Sequence, residues 1–254
     1  MDDALDALFD ALALPKETQV EQRVAKALLV DRGELGAADR RLLETGLERL
    51  TWRATIKPTA AGVAAYADEV RDYAQLVVMG ARLRPDAKTD RIIEVIHRAV
   101  AQPLVLLAGD SKAAALSVGL KRRHEREAAR AVLQRLTISP IVISEADPVQ
   151  IAFLDSLALT RVATHDLWSL HRRWSECAEA YVAGRITGVF RLPTDEAEVE
   201  SRRAGLEAYT VQAREVARVR KAAMTEKRLA RRLALAGEVA SAEERLGALV
   251  AQIR

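Results

Sequence analysis

The sequence predicts an α/β fold: a mixed or antiparallel sheet of four or five strands with flanking helices, then a helical C-terminal region ending in a long, coiled-coil-like helix. Three observations carry this expectation. In Arg49 to Lys57, Leu50, Trp52, Ala54 and Ile56 alternate with Thr51, Arg53, Thr55 and Lys57, the period of two expected of a strand with one wet face. In Arg91 to Lys112, Ile92, Val95, Ile96 and Val100 stand at helical spacing, and Leu104 to Ala108 then holds no polar residue. So short an apolar run reads as a strand covered on both faces, the middle of a sheet. Beyond Pro148 the apolar spacing is helical, and Val239, Ala242, Leu246, Leu249 and Ile253 follow at intervals of 3, 4, 3 and 4, the a/d rhythm of a helical seam. The expected division is an α/β domain over 1–146, a helical segment over 147–192 and a long C-terminal helix over 193–254, a candidate coiled coil.

In chain order, Leu5, Leu8, Phe9 and Leu12 form one stripe of a short helix whose early aspartates suit the helix dipole, and Pro15 ends it. Thr18 to Leu29 has no clear period. Leu35 to Leu47 is helical, with Leu42, Leu43 and Leu47 on one side. The alternating strand follows and Pro58 closes it. Tyr73 to Arg84 predicts a second strand, with Val77, Met79, Ala81 and Leu83 on one face and Arg82 and Arg84 at the far end of the other. Gln102-Pro103 stops the next helix, since proline lacks an N–H and pushes its predecessor out of the α region. After the apolar strand, Gly109-Asp110-Ser111 turns the chain into Ala114 to Lys121, where Leu116, Val118 and Leu120 alternate with Ser117 and Gly119; the pair reads as a hairpin. Ala131 to Ile143 fits a last strand or a short helix, and Pro140 argues against a central position. Asp147-Pro148 opens the helices 149–159 and 164–183, the second carrying Leu167, Trp168, Leu170 and Trp174. Gly184 and Gly188 break the pattern. Leu192-Pro193-Thr194 starts the long helix, with Thr194 as its cap and Asp195 and Glu196 in its first turn.

The 254 residues, half of them hydrophobic, are enough for one large or two small domains. A single cysteine, Cys177, excludes an internal disulfide framework and a multi-cysteine zinc site. The N-terminal stretch is acidic where a secretory signal is basic, and no run approaches the roughly 18 apolar residues of a membrane span. A cytoplasmic location without membrane contact is therefore expected. Net charge is only +3, so charge distribution matters more than the total. Arg214, Arg218, Arg220, Lys221, Lys227, Arg228, Arg231 and Arg232 face only Glu215 and Glu226 in their stretch. A helix so charged can track phosphates, or it is a solvated face or a dock for an acidic partner. Lys121, Arg122, Arg123, His124 and Arg126 form a second basic cluster, at a strand end that a phosphate could approach. Both clusters are candidate nucleic-acid contacts.

Catalytic chemistry has one literal match. Pro85-Asp86 and Asp110-Ser111-Lys112 spell the PD-(D/E)xK pattern, in which two carboxylates hold Mg²⁺ and the lysine helps activate water. The helix from Asp90 to Val100 intervenes, however, and Asp110-Ser111 suits a hairpin turn. A metal-dependent nuclease using Asp86, Asp110 and Lys112 is thus kept as an alternative. His97 reads as a core side chain on an apolar helix. His165 and His171 are six apart, off the spacing that places two ligands on one helix face. Cys177 and the tryptophans Trp168 and Trp174 read as packing residues, and Gly36, Gly109 and Gly119 form no phosphate loop. No catalytic residue, metal site or cofactor is assigned.

The order of short motifs is itself informative. Leu14-Pro15-Lys16, Ala38-Asp39-Arg40-Arg41-Leu42, Leu50-Thr51-Trp52-Arg53, Ile56-Lys57-Pro58, the Tyr66 to Tyr73 segment, Ile96-His97-Arg98-Ala99 before Pro103, Gly119-Leu120-Lys121-Arg122 and Glu226-Lys227-Arg228 resemble, in succession, the bacterial family called domain of unknown function 4391. The late segment departs from the family's usual Glu-Lys-Gln followed by Asn. The resemblance implies a genomic setting beside superfamily-2 helicases and adenine-type DNA methyltransferases in restriction-like, phage-defence operons. The expected function is a non-catalytic accessory or adaptor subunit of such a DNA-targeting system, binding a helicase or methyltransferase and, through the basic stretches, DNA. Two alternatives stand beside it: the Mg²⁺-dependent nuclease, and a homodimer held by the seam Val239, Ala242, Leu246, Leu249 and Ile253.

Overall fold

The chain runs α1 (Asp3–Ala11), β1 (Gln19–Val24), α2 (Lys26–Arg32), α3 (Ala37–Gly46), β2 (Leu47–Ile56), α4 (Pro58–Ala61), β3 (Tyr66–Ala67), β4 (Asp72–Tyr73), β5 (Leu76–Leu83), α5 (Thr89–Ala99), β6 (Leu104–Gly109), β7 (Ala114–Arg123), β8 (Ala131–Ile141), α6 (Pro148–Ser156), α7 (Leu167–Thr187), α8 (Glu196–Thr225) and α9 (Leu229–Ile253). The computed structural model describes residues 3–111, 113–124, 131–141, 147–162 and 165–253. They form two compact units, 1–179 and 180–254.

The first unit is built on a six-stranded sheet in the order β1-β2-β5-β6-β7-β8. Only β5 and β6 pair in parallel, and α5 is the crossover between them; every other neighbour pair is antiparallel. The sheet is mixed, as expected, with more strands than expected. The extra one is β1, inside the stretch without a clear period. It pairs with β2 as an edge strand while its side chains stay almost wholly in solvent, so no apolar alternation was needed to form it. The other edge, β8, pairs only with β7 and places Pro140 opposite Ala115, a position where a missing N–H is tolerated. The apolar run of β6 is buried along its whole length between β5 and β7.

One face of the sheet carries the main core. Val77, Met79, Ala81 and Leu83 of β5, Leu104, Leu106 and Ala108 of β6, and Leu50 of β2 pack beneath Leu43 of α3 and Ile92, Ile93, Val95 and Ile96 of α5. Each valine, leucine, isoleucine or methionine among them contributes about 1.5–3 kcal/mol by leaving water. On the other face α1 contacts β6, β7 and α6 through its buried Leu5, Leu8, Phe9 and Leu12. Arg53 of β2 lays its guanidinium 4.3 Å from the Phe9 ring centroid and pairs with Asp6 and Glu21. Trp174 of α7 is buried and donates to the Leu157 carbonyl, while Ser139 of β8 donates to that of Ala178. The chain from 147 to 179 falls in the same compact unit as the sheet.

Gly119 of β7 has a specific role in this packing. A Cβ there would lie 2.3 Å from His97 Nδ1 and 2.9 Å from Leu133 Cδ1. Gly119→Ala is expected to cost about 1–3 kcal/mol by overpacking, whereas Gly237→Ala in α9, with open space around it, should stabilise by up to about 1 kcal/mol through helix propensity. Urea unfolding of the two variants checks the contrast.

The second unit contains an antiparallel helical hairpin. The expected single long helix is two helices, α8 and α9, joined at Glu226-Lys227-Arg228, where Glu226 turns to extended backbone. Gly205 lies against Gln252 and Ile253, Gln212 donates to the Ala242 carbonyl, and Arg220 pairs with Glu243 at 2.7 Å. Those contacts run the two helices in opposite directions. The cap of α8 falls one residue later than expected: Asp195 accepts from the Glu198 N–H, while the Glu198 carboxylate accepts from the backbone and hydroxyl of Thr194, a reciprocal capping arrangement.

Candidate binding surfaces

The hairpin determines what the C-terminal charges can do. Ala242 and Ile253 of the seam are buried, and Val239, Leu246 and Leu249 are half-buried in the helix that packs along α8. The seam expected to recruit a second copy is thus used inside the chain, with Val216 and Val219 buried on α8. A dimer through that seam would have to open the hairpin.

At the closed end of the hairpin the opposite holds. Met224, Leu229 and Leu233 are 86%, 62% and 67% exposed, an unusual outlay of apolar surface around one turn. They stand among cations. Of the eight basic residues expected here, Arg218 pairs with Glu215 at 2.7 Å, Arg220 with Glu243 and Arg231 with Glu226 at 3.7 Å. Among the described residues, no carboxylate lies within ion-pair reach of Arg214, Lys221, Lys227, Arg228 or Arg232. The Arg218 guanidinium holds the Glu215 carboxyl below its usual range. A groove of about 560 Å³ opens here, lined by Lys227, Arg228 and Arg231 together with Glu226 and Glu238.

The second basic cluster lies in the sheet unit, and the structure divides it. Arg123 is exposed and pairs with Asp72 at 3.2 Å; Arg122 is half-buried. Lys121 corrects the expectation of a surface cation: it is only 3% exposed. The register shifts between Leu120 and Lys121, with the extra residue on β8, and Lys121 stays on the inward face of β7 with Ser117 and Gly119. The Lys121 ammonium donates to the carbonyls of Val100 and Gln102, just past the C-terminus of α5. Helix-end carbonyls are natural acceptors for a cation, yet burial without a carboxylate pushes the amine down to about 7.

Around it lie buried groups whose grouping the sequence did not signal. His171 Nε2–H donates to the Leu104 carbonyl at 3.1 Å, which leaves Nδ1 to accept from the Tyr73 hydroxyl at 3.4 Å. That hydroxyl also accepts the Lys121 backbone N–H, and burial raises the phenol above its ordinary value. His97 Nε2–H donates to Ser117 Oγ at 3.0 Å, and Ser117 in turn donates to Leu106. The other nitrogen, His97 Nδ1, is buried without a partner. Burial, then the charge of Lys121, push both histidines down, His171 to about 3. A cavity of about 260 Å³ opens beside them, lined by Tyr73, Gln75, Gln102, Lys121, Arg122 and Arg123.

Asp86 and Asp110 turn out to follow neighbouring parallel strands, so α5 returns the chain to the same rim of the sheet. Their surroundings still serve turns. Asp86 is exposed at φ 60°, a left-handed position that Asp tolerates, and Asp110 exchanges two hydrogen bonds with the backbone of Ala113. Lys112 and Arg126 lie outside the described residues. Among the described residues no group of three or more His, Cys, Asp or Glu side chains could hold a metal. Cys177 is buried and its thiol is pushed up by burial. No helix among the described residues is long and apolar enough to cross a membrane.

These features define a class, a mixed α/β sheet protein with a C-terminal helical hairpin whose turn is both basic and apolar. The chain belongs to the family described as Domain of unknown function (DUF4391), whose model matches residues 12–246. No curated protein and no solved structure matches it.

Proposed function

We propose that the protein is a non-catalytic accessory subunit of a bacterial DNA-targeting, restriction-like anti-phage system. It docks on the helicase or DNA methyltransferase encoded beside it through the closed end of the α8–α9 hairpin. The observation that carries this reading is the grouping of exposed Met224, Leu229 and Leu233 with Lys221, Lys227, Arg228 and Arg232, which have no carboxylate within ion-pair reach among the described residues. Exposed apolar anchors ringed by unpaired cations suit an acidic-rimmed apolar groove on a partner. The family membership is compatible with this context.

DNA is the second ligand, favoured by the five cations that have no carboxylate within ion-pair reach among the described residues. Phosphate contacts would make affinity fall linearly with the logarithm of salt concentration, by about 0.9 per contact. The two ligands separate experimentally. A tagged chain expressed in its native host is expected to bring down the helicase or methyltransferase, and the variant Met224→Ser/Leu229→Ser/Leu233→Ser is expected to lose it while staying folded. Equal recovery with wild type and variant, or recovery of neither enzyme by wild type, overturns the docking role.

A further inference from the structure

The cavity beside Lys121 lies in the sheet unit and has no part in the hairpin reading. Its lining is chemically biased. Three cationic side chains, Lys121, Arg122 and Arg123, meet one carboxylate, Asp72, with the amides of Gln75 and Gln102 as neutral donors. Among the described lining residues the formal balance is two positive charges. Lys121 has three N–H bonds and two carbonyl partners, Val100 and Gln102, so one N–H remains to be used. At about 260 Å³ the space is smaller than the roughly 300–1,000 Å³ of drug-sized sites. It suits a compact anion with at most a small organic group.

We propose that this cavity binds a phosphate dianion, with the Lys121 ammonium as the buried donor and Arg122 and Arg123 closing over it from the rim. The ion could be free inorganic phosphate or the 5′-phosphate of a nucleotide; the recognised chemistry is shared. The titratable and charged groups facing Lys121 are His97 from α5, His171 from α7, Asp72 and Tyr73 from β4, and Arg122 and Arg123 from β7. On β8 the opposite residue is apolar Leu133. None of these supplies a nearby negative charge except Asp72, already paired with Arg123. A bound dianion supplies one, so it raises the affinity of Lys121 for its proton. Because the free amine is pushed down to about 7, binding at pH 8 must take up close to one proton.

Calorimetric titration of the full chain at pH 8, in two buffers of different ionisation enthalpy, tests this. The probes are inorganic phosphate, a nucleoside 5′-monophosphate and the corresponding nucleoside. Saturable binding of either phosphate probe but not of the nucleoside is expected, with an observed heat that shifts between buffers by close to one proton. Phosphate binding at least as well as the monophosphate identifies the free ion; tenfold tighter monophosphate binding identifies the nucleotide. Lys121→Met should weaken binding at least tenfold and remove the buffer dependence. Since that change also uncaps α5, Arg122→Gln/Arg123→Gln serves beside it and should weaken binding while leaving the proton uptake in place. No saturable binding in wild type, or affinity unchanged in both variants, overturns the proposal and leaves Lys121 as a helix cap only.

Discussion

Lowering the pH from 6.5 to 5 is expected to remove several kilocalories per mole of stability from the sheet unit. His97 and His171 are both fully buried and both pushed below their ordinary value by burial, His171 to about 3. The unfolded chain protonates these side chains below about pH 6.5, whereas the folded chain keeps them neutral. In that window the unfolded state binds more protons, so stability falls as pH falls, by about 1.4 kcal/mol per pH unit for each histidine. Integrated from the half-protonated point at 6.5 down to 5, the pair is worth about 3 kcal/mol, a large part of the 5–15 kcal/mol typical of a folded domain. Most carboxylates titrate lower, which isolates the histidines. Above pH 7 the sign is the same for Lys121, whose folded value lies near 7 rather than 10.5; stability continues to rise with pH until Tyr73, shifted upward, begins to oppose it above 10. Unfolding free energies by urea at half-unit steps give the slopes. His97→Gln and His171→Gln should each flatten the acid limb by about one proton, and unchanged slopes would contradict the assigned tautomers and burial.

The second large effect concerns the hairpin. Replacing Met224, Leu229 and Leu233 with serine is expected to weaken partner binding at least 100-fold, about 2.7 kcal/mol. Reversing Lys227, Arg228 and Arg232 to glutamate should act differently. Exposed charges steer encounter, so these changes lower the association rate and the salt dependence, while loss of the apolar anchors raises the dissociation rate. The side chains are exposed and distant from the Ala242 and Ile253 packing, so each substitution should change stability by no more than about 0.5 kcal/mol. Surface-captured binding kinetics at two salt concentrations separate the two signatures.

Which parts could be read from the letters follows from what each part buries. The α5–β6 stretch was legible because a strand covered on both faces must be apolar throughout, and a helix packed on one face must repeat every three or four residues. β1 was not, because an exposed edge strand is held by backbone bonds to β2 and leaves no apolar trace. The break at Glu226-Lys227-Arg228 has neither glycine nor proline, so nothing local distinguishes it from continuing helix. The same seam spacing serves a two-chain coiled coil and an intrachain hairpin, and only the tertiary fold decides between them. Lys121 was read as one cation in a surface run, although it continues the alternation of Ser117 and Gly119, whose inward face meets His97. The nuclease letters illustrate another limit of linear spacing. Their separation by a helix does not separate them in space, because a parallel β5–α5–β6 unit brings both strand ends to one rim, where Asp86 and Asp110 both stand in turns.

The central claim is that the hairpin turn is the docking element, and its most direct test is equilibrium binding of the purified chain to the helicase and the methyltransferase proposed as its partners, each purified. Wild type is expected to bind one of them, the serine triple variant to lose that binding at least 100-fold, and Gly237→Ala, in the same helix but outside the turn, to bind as wild type does. Full affinity in the triple variant would contradict the account.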